Sequence, residues 1–130
     1  MKFLIVDDDF TNRLLLQEIL KDYATIHIAV DGVEAVNAAK DAIEDKAPYD
    51  CIFFDILMPK LNGQQALKQI RKIESDSTLL KEQYSKVIMI TALNDKKNIK
   101  EAINAGSNGY IVKPVNQFDL IKKLKELDVL

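Results

Sequence analysis

Five short apolar runs, Lys2–Val6, Thr25–Ala29, Asp50–Phe54, Lys86–Ile90 and Gly109–Val112, alternate along the chain with stretches of helical periodicity. Strand-length runs separated by helical patterns predict βαβ units, joined by right-handed crossovers into a parallel sheet with helices on both faces. Ile52, Phe53 and Phe54 are apolar without a break, as a strand covered on both sides requires.

The intervening patterns predict five helices. The first, about Phe10–Asp22, sets Leu15, Leu16, Ile19, Leu20 and Tyr23 on one stripe. Asp31 followed by Glu34 has the form of a capping box opening the second, with Val36, Ala39 and Ile43 as its inner face. The third starts after Asn62, with Gln65 as the reciprocal cap partner and Leu67, Ile70 and Ile73 buried. The fourth, near Asp95–Ala105, ends at Gly106 as a left-handed cap, and the fifth opens at Asn116 with Asp119 in its first turn and Val115 stapled onto Leu120. Glu74–Ser85 is longer than this architecture needs and reads as a surface insertion, with Leu79, Leu80 and Tyr84 in a short extra helical turn.

A chain of 130 residues that is 48% hydrophobic has the size and core of one domain, residues 1–130. Its net charge of -2 gives no reason to expect nucleic acid or an anionic membrane as a direct partner. The apolar start, Met1–Val6, is too short for a signal peptide, and no run reaches the length of a membrane span. Cys51 is the only cysteine, so it has no intrachain disulfide partner; beside an apolar strand it is expected to pack rather than react, which suits a reducing cytoplasm.

Four of the five strands end in residues with chemical potential: Asp7 and Asp8, then Asp55, then Thr91, then Lys113. In a parallel sheet these ends lie along one edge, where open α/β sheets bind their ligands. Met58-Pro59 and Asn62-Gly63 stop the chain from running on as a strand beyond Asp55. Clustered carboxylates repel one another, and a divalent cation relieves that repulsion; hard oxygen ligands suit Mg²⁺ completed by waters and a phosphate. Thr91 adds a hydroxyl and Lys113 an ammonium, with Pro114 holding Lys113 extended. These are the parts for phosphoryl transfer onto an aspartate. Taken singly, Asp9 or Thr11 reads as a helix cap, Thr91 as a turn residue and Lys113 as a solvated charge. Convergence from four strands favours a site.

Val6-Asp7-Asp8-Asp9, Asp55-Ile56-Leu57-Met58-Pro59, Ile90-Thr91-Ala92 and Gly109-Tyr110-Ile111-Val112-Lys113-Pro114 resemble, in order, the motifs of the receiver domain of two-component response regulators. The resemblance covers essentially the whole chain. It implies an α/β, flavodoxin-like, doubly wound five-stranded parallel sheet of order 2-1-3-4-5 with five helices. It implies that Asp55 accepts a phosphoryl group from a partner histidine kinase or histidine phosphotransfer protein. Mg²⁺ would be held by Asp8 directly, by Asp7 often through water, by Asp55 and by the backbone carbonyl of Leu57. Thr91 and Lys113 would contact the phosphoryl group, and the Lys113-Pro114 bond would be cis. Thr91 and Tyr110 would be the switch residues, altering an output face made by the fourth helix, fifth strand and fifth helix, where a downstream protein target docks.

Such a domain is a signalling switch that catalyses its own phosphorylation and dephosphorylation only. The chain stops soon after the fifth helix, which resembles the stand-alone cytoplasmic receivers of chemotaxis or phosphorelays, monomeric or weakly dimeric. Leu57 and Leu93, two residues beyond Asp55 and Thr91, are apolar and cannot orient an attacking water. Self-dephosphorylation is therefore expected to be slow, and a phosphoryl lifetime unchanged by Leu93→Glu or Leu57→Asn would contradict this. His27, between Ile26 and Ile28, is expected to be structural, so the phosphodonor histidine belongs to another molecule.

Asp7-Asp8-Asp9-Phe10-Thr11 also fits the Asp-x-Asp-x-Thr start of haloacid-dehalogenase-type phosphatases, with Asp7 as nucleophile and Asp9 as acid/base. That superfamily normally adds an acidic pair after its lysine; this chain offers Asp119, Glu126 and Asp128, all on or beyond a helix. The phosphatase reading also leaves Asp55–Pro59 unexplained. A flavodoxin-like cofactor binder is disfavoured because three aspartates in the first loop would repel a phosphate.

Overall fold

The computed structural model describes residues 1–56, 61–92 and 96–130. Strands β1 (Lys2–Val6), β2 (Thr25–Ala29), β3 (Cys51–Asp55), β4 (Lys86–Thr91) and β5 (Gly109–Val112) form one parallel sheet in the order β2-β1-β3-β4-β5. Helices α1 (Phe10–Leu20), α2 (Gly32–Glu44), α3 (Gly63–Asp76), α4 (Lys96–Asn104) and α5 (Gln117–Glu126) alternate with the strands. This is the doubly wound, flavodoxin-like arrangement. No helix among the described residues is long and apolar enough to cross a membrane.

Strand alternation divides the core in two. Leu4, Val6, Ile52, Phe54, Val87 and Met89 face α2, α3 and α4. Phe3, Ile5, Phe53, Ile88 and Ile90 face α1 and α5, where Phe3 and Phe53 meet edge to face at 5.6 Å. Each such fully buried side chain contributes about 1.5–3 kcal/mol of transfer free energy. Cys51 is buried here and burial pushes its thiol pKa up, in keeping with a packing role.

β3 starts and ends one residue later than the apolar pattern predicts, and β4 ends one later, so Asp55 and Thr91 close their strands. On α1 the buried residues are Leu16 and Leu20, with Ile19 half-buried. Leu15 and Tyr23, expected on the same stripe, are exposed. Leu15 is about 100° around the helix from Leu16, and Tyr23 follows the turn that ends α1. The inner face of α2 is Ala35, Ala39 and Ala42, with Val36 and Ile43 half-buried at its flanks. Small residues let α2 approach the sheet and α3 closely, and the larger side chains fill the margins.

The predicted caps are in place. Asp31 Oδ1 accepts from the Glu34 N–H at 2.9 Å, although Glu34 reaches back to the N–H of Val30 rather than of Asp31. Asn62 and Gln65 form the reciprocal capping box on α3, and Asn116 accepts from the Asp119 N–H at 2.8 Å on α5. Val115 is half-buried against the core that contains Leu120. Gly106 takes φ 105°, the left-handed cap after α4; the predicted helix start at Asp95 lies outside the described residues. Leu67 and Ile70 of α3 are buried and Ile73 half-buried. The connection from α3 to β4 contains one 3-10 turn, Lys81–Gln83; Leu79 and Tyr84 are half-buried beside it and Leu80 is exposed.

Candidate functional site

Strand register brings the chemistry together. Val6 pairs with Phe54, so Asp7 and Asp55 lie side by side, one residue on. Asp55 pairs with Ile90 and Thr91 pairs with Val112, which brings Thr91 and Lys113 to the same carboxyl edge. Gly63 lets α3 come close to this edge: its N–H donates to the Ile56 carbonyl at 3.1 Å, and a Cβ there would lie 2.8 Å from the Asp55 carbonyl oxygen. Any side chain would force α3 away from β3.

One carboxylate oxygen each from Asp7, Asp8 and Asp55 lie within 4.8 Å of one another; Asp7 and Asp55 are buried and Asp8 is exposed. Lys113 Nζ stands 3.3 Å from Asp55 Oδ2. Asp7 Oδ1 accepts from the Asp9 N–H at 2.9 Å, while Asp7 Oδ2 and Thr91 Oγ1 are buried with no hydrogen-bond partner among the described residues. The Asp7 carboxyl is raised from 3.8 to about 6, chiefly by burial, with repulsion from Asp55 and Asp8 adding and the Asp9 N–H and Lys113 opposing. An orphaned carboxylate oxygen beside two further carboxylates offers hard donors facing one point. That donor set fits a small divalent cation such as Mg²⁺. The backbone carbonyl of Leu57, the fourth ligand expected, lies outside the described residues, as does Leu93.

Asp9 does something else. Its Oδ1 accepts from the N–H groups of Thr11 at 2.7 Å and Asn12 at 3.1 Å, so it is the N-cap of α1 and not an acid/base over Asp7. His27 lies on edge strand β2, level with Leu4 and away from the acidic edge; it is exposed rather than buried, and Nδ1 lies 2.7 Å from the Tyr49 hydroxyl. The Lys113-Pro114 bond is cis. Tyr110 on β5 is exposed.

Residues 3–125 match the response regulator receiver domain family. The chain belongs to that family. The receiver is 37% identical over 129 residues to a chemotaxis protein of Vibrio cholerae, covering 98% of this chain and 91% of that one. It is 31% identical over 119 residues to the osmosensing histidine protein kinase of Saccharomyces cerevisiae, covering 90% of this chain but 9% of that kinase. Among solved structures it resembles the receiver domain of a Saccharomyces cerevisiae response regulator, co-crystallised with a histidine phosphotransfer signalling protein. That likeness has a TM-score of 0.81 and 32% identity over 97% of this chain and 87% of the other. The receiver domain of an Arabidopsis thaliana histidine kinase, complexed with Mg²⁺ and BeF₃⁻, gives a TM-score of 0.80 and 25% identity over 96% of this chain and 89% of that one. Family membership and the capping role of Asp9 together set the phosphatase reading aside.

Three polar residues of the receiver were not singled out from sequence. Arg13 donates from Nη1 to the Asp7 carbonyl at 2.9 Å, bracing the acidic turn. Glu74 is fully buried, accepting from Arg71 Nη1 at 2.7 Å and from the Ser85 N–H at 2.8 Å, so the long connection is anchored to the body and not merely laid on it. Gln64 is buried at the start of α3 and donates to the Asn98 carbonyl at 3.0 Å. Glu74 had a signal: it falls seven residues after Leu67 and four after Ile70, on the apolar stripe of α3.

Proposed function

We propose that this receiver is a phosphoryl-accepting signalling switch in which Asp55 is the acceptor. What carries the reading is the convergence of Asp7, Asp8 and Asp55 with Lys113 on Asp55 and the buried Thr91 hydroxyl alongside. One Asp55 oxygen forms the new O–P bond as the P–N bond of a donor phosphoimidazole breaks, its electron pair returning to the imidazole nitrogen. Lys113 then faces phosphoryl oxygen with positive charge, and Thr91 Oγ1, a donor without a partner, is available to bond another. Asp7, Asp8, Asp55 and the Leu57 carbonyl would hold Mg²⁺, which when bound neutralises crowded carboxylate and phosphoryl charge.

The donor is a histidine kinase or histidine phosphotransfer protein, the class of partner named for its relatives. Movement of Thr91 toward the phosphoryl group and of exposed Tyr110 inward is the proposed switch, with α4, β5 and α5 as the output face for a protein target. We take residues 1–130 as one cytoplasmic receiver domain that is monomeric or weakly dimeric. The slow loss of phosphate expected from Leu57 and Leu93 rests on sequence. The test is the mass gain of the protein with Mg²⁺ and acetyl phosphate, and its absence in Asp55→Asn.

A further inference from the structure

The acidic turn between β1 and α1 is fixed through its main chain as well as its side chains. Strand pairing of β1 ends at Val6, opposite Ala29 and Phe54. Asp7, the next residue, still gives its N–H to the Ala29 carbonyl at 3.2 Å, but its own carbonyl lies past the ladder. Asp7 is 1% exposed, and a buried carbonyl needs a donor. Arg13 of α1 supplies it from six residues away, Nη1 lying 2.9 Å from the Asp7 carbonyl oxygen.

The arginine is itself held in place. Its N–H donates to the Asp9 carbonyl at 3.1 Å, and its guanidinium carbon lies 5.8 Å from the centroid of the exposed Phe10 ring. Asp9 closes the turn from the other side: its N–H donates to Asp7 Oδ1, and its carboxylate receives the N–H groups of Thr11 and Asn12. Asp7 and Asp9 are thus each fixed at main chain and side chain. Asp8, between them, is exposed, and no hydrogen bond or ion pair holds its carboxylate among the described residues. The Asp7 carbonyl and the Asp8 Cα belong to one planar peptide unit. Holding that oxygen therefore orients Asp8.

We propose that Arg13 is a positioning residue for the cation site: by gripping the Asp7–Asp8 peptide it keeps the Asp8 carboxylate aimed at the point shared with Asp7 and Asp55, and so strengthens binding of a divalent cation. This rests on Mg²⁺ being held by Asp7, Asp8 and Asp55. Arg13 acts through the peptide, and its charge opposes that effect, because a positive group near the three carboxylates weakens their attraction for a cation. Geometry and charge predict opposite signs when Arg13 is replaced.

The test is titration of the full chain with Mg²⁺ alone, followed by amide NMR shifts, beside urea unfolding in EDTA. Arg13→Met removes donor and charge but keeps an unbranched stem, and binds Mg²⁺ roughly tenfold more weakly, the scale for one lost hydrogen bond from a charged donor. Arg13→Lys keeps the charge on a single nitrogen in place of the planar fork, and weakens binding less. Ile19→Ala, at a half-buried position further along α1, lowers the urea midpoint and leaves Mg²⁺ affinity unchanged. With acetyl phosphate, Arg13→Met takes up phosphoryl slowly at limiting Mg²⁺ and at the wild-type rate once Mg²⁺ saturates. Binding by Arg13→Met that equals or exceeds the wild type overturns the proposal, as does equal weakening in Ile19→Ala or an uptake deficit that persists at saturating Mg²⁺. Absence of Mg²⁺ binding to the wild type overturns the cation site itself, a result distinct from wild-type binding that is indifferent to Arg13.

Discussion

Lys113 Nζ lies 3.3 Å from Asp55 Oδ2 at the carboxyl edge of the sheet, joining the end of β5 to the end of β3. The Lys113 side chain is 37% exposed, so the pair contributes little to stability, under about 1 kcal/mol. Its value is positional. Lys113→Gln is expected to leave the urea midpoint nearly unchanged and to slow phosphoryl uptake from acetyl phosphate roughly a hundredfold, the usual scale for one lost electrostatic contact to a transferring group. Unaltered uptake in a folded variant would remove Lys113 from the reaction.

Asp7 gives the protein a pH dependence with a definite sign. Below 3.8 both the folded and unfolded chains keep its proton; between 3.8 and about 6 the unfolded chain ionises first, so stability falls as pH rises. The loss is roughly 3 kcal/mol at most and is complete above about pH 6. Asp7→Asn keeps the acceptor for the Asp9 N–H and removes the titration. Without divalent cation it should be more stable than wild type at pH 7 and equal to it near pH 4. Added Mg²⁺ should close the gap at pH 7 by stabilising the wild type alone. Parallel stability curves for the two proteins would contradict this.

Thr91 separates folding from function. Its Oγ1 is buried without a partner among the described residues, and replacing an unpaired hydroxyl by a methyl group removes a desolvation cost of about 1 kcal/mol. Thr91→Val should therefore unfold at slightly higher urea while forming less phosphoryl adduct, or losing it faster. A variant that is less stable with normal adduct chemistry would show the hydroxyl to be structural.

Two of the helical ion pairs should differ sharply. Glu74 is sealed against Arg71 and the Ser85 N–H, and Glu74→Ala strands both, costing about 3–5 kcal/mol. Glu18 pairs with Lys21 at 3.0 Å in the open, and Glu18→Ala should leave stability nearly unchanged. Thermal unfolding of the two variants decides it.

Element order and the residues at four strand ends were legible because period-two and period-3.6 patterns differ and because parallel strands end on one edge. Side-chain orientation was less so. Leu15 looks as apolar as Leu16, yet rotation of one residue turns it to solvent. On α2, close approach selected Ala35 and Ala42 over the larger Val36 and Ile43, a preference that hydrophobicity alone reverses. Arg71, Glu74 and Gln64 were not singled out, because their environment depends on partners far along the chain, Gly106, Ser85 and Asn98. Asp9 was legible in both of its readings, and the hydrogen bonds from Thr11 and Asn12 decided for the cap.

The most direct test is intact mass after incubation with Mg²⁺ and acetyl phosphate, for wild type and Asp55→Asn. One phosphoryl adduct in the wild type, prevented by EDTA and missing from the variant, is the predicted result. An adduct that persists in Asp55→Asn, or no adduct in the wild type, would contradict Asp55 as the acceptor.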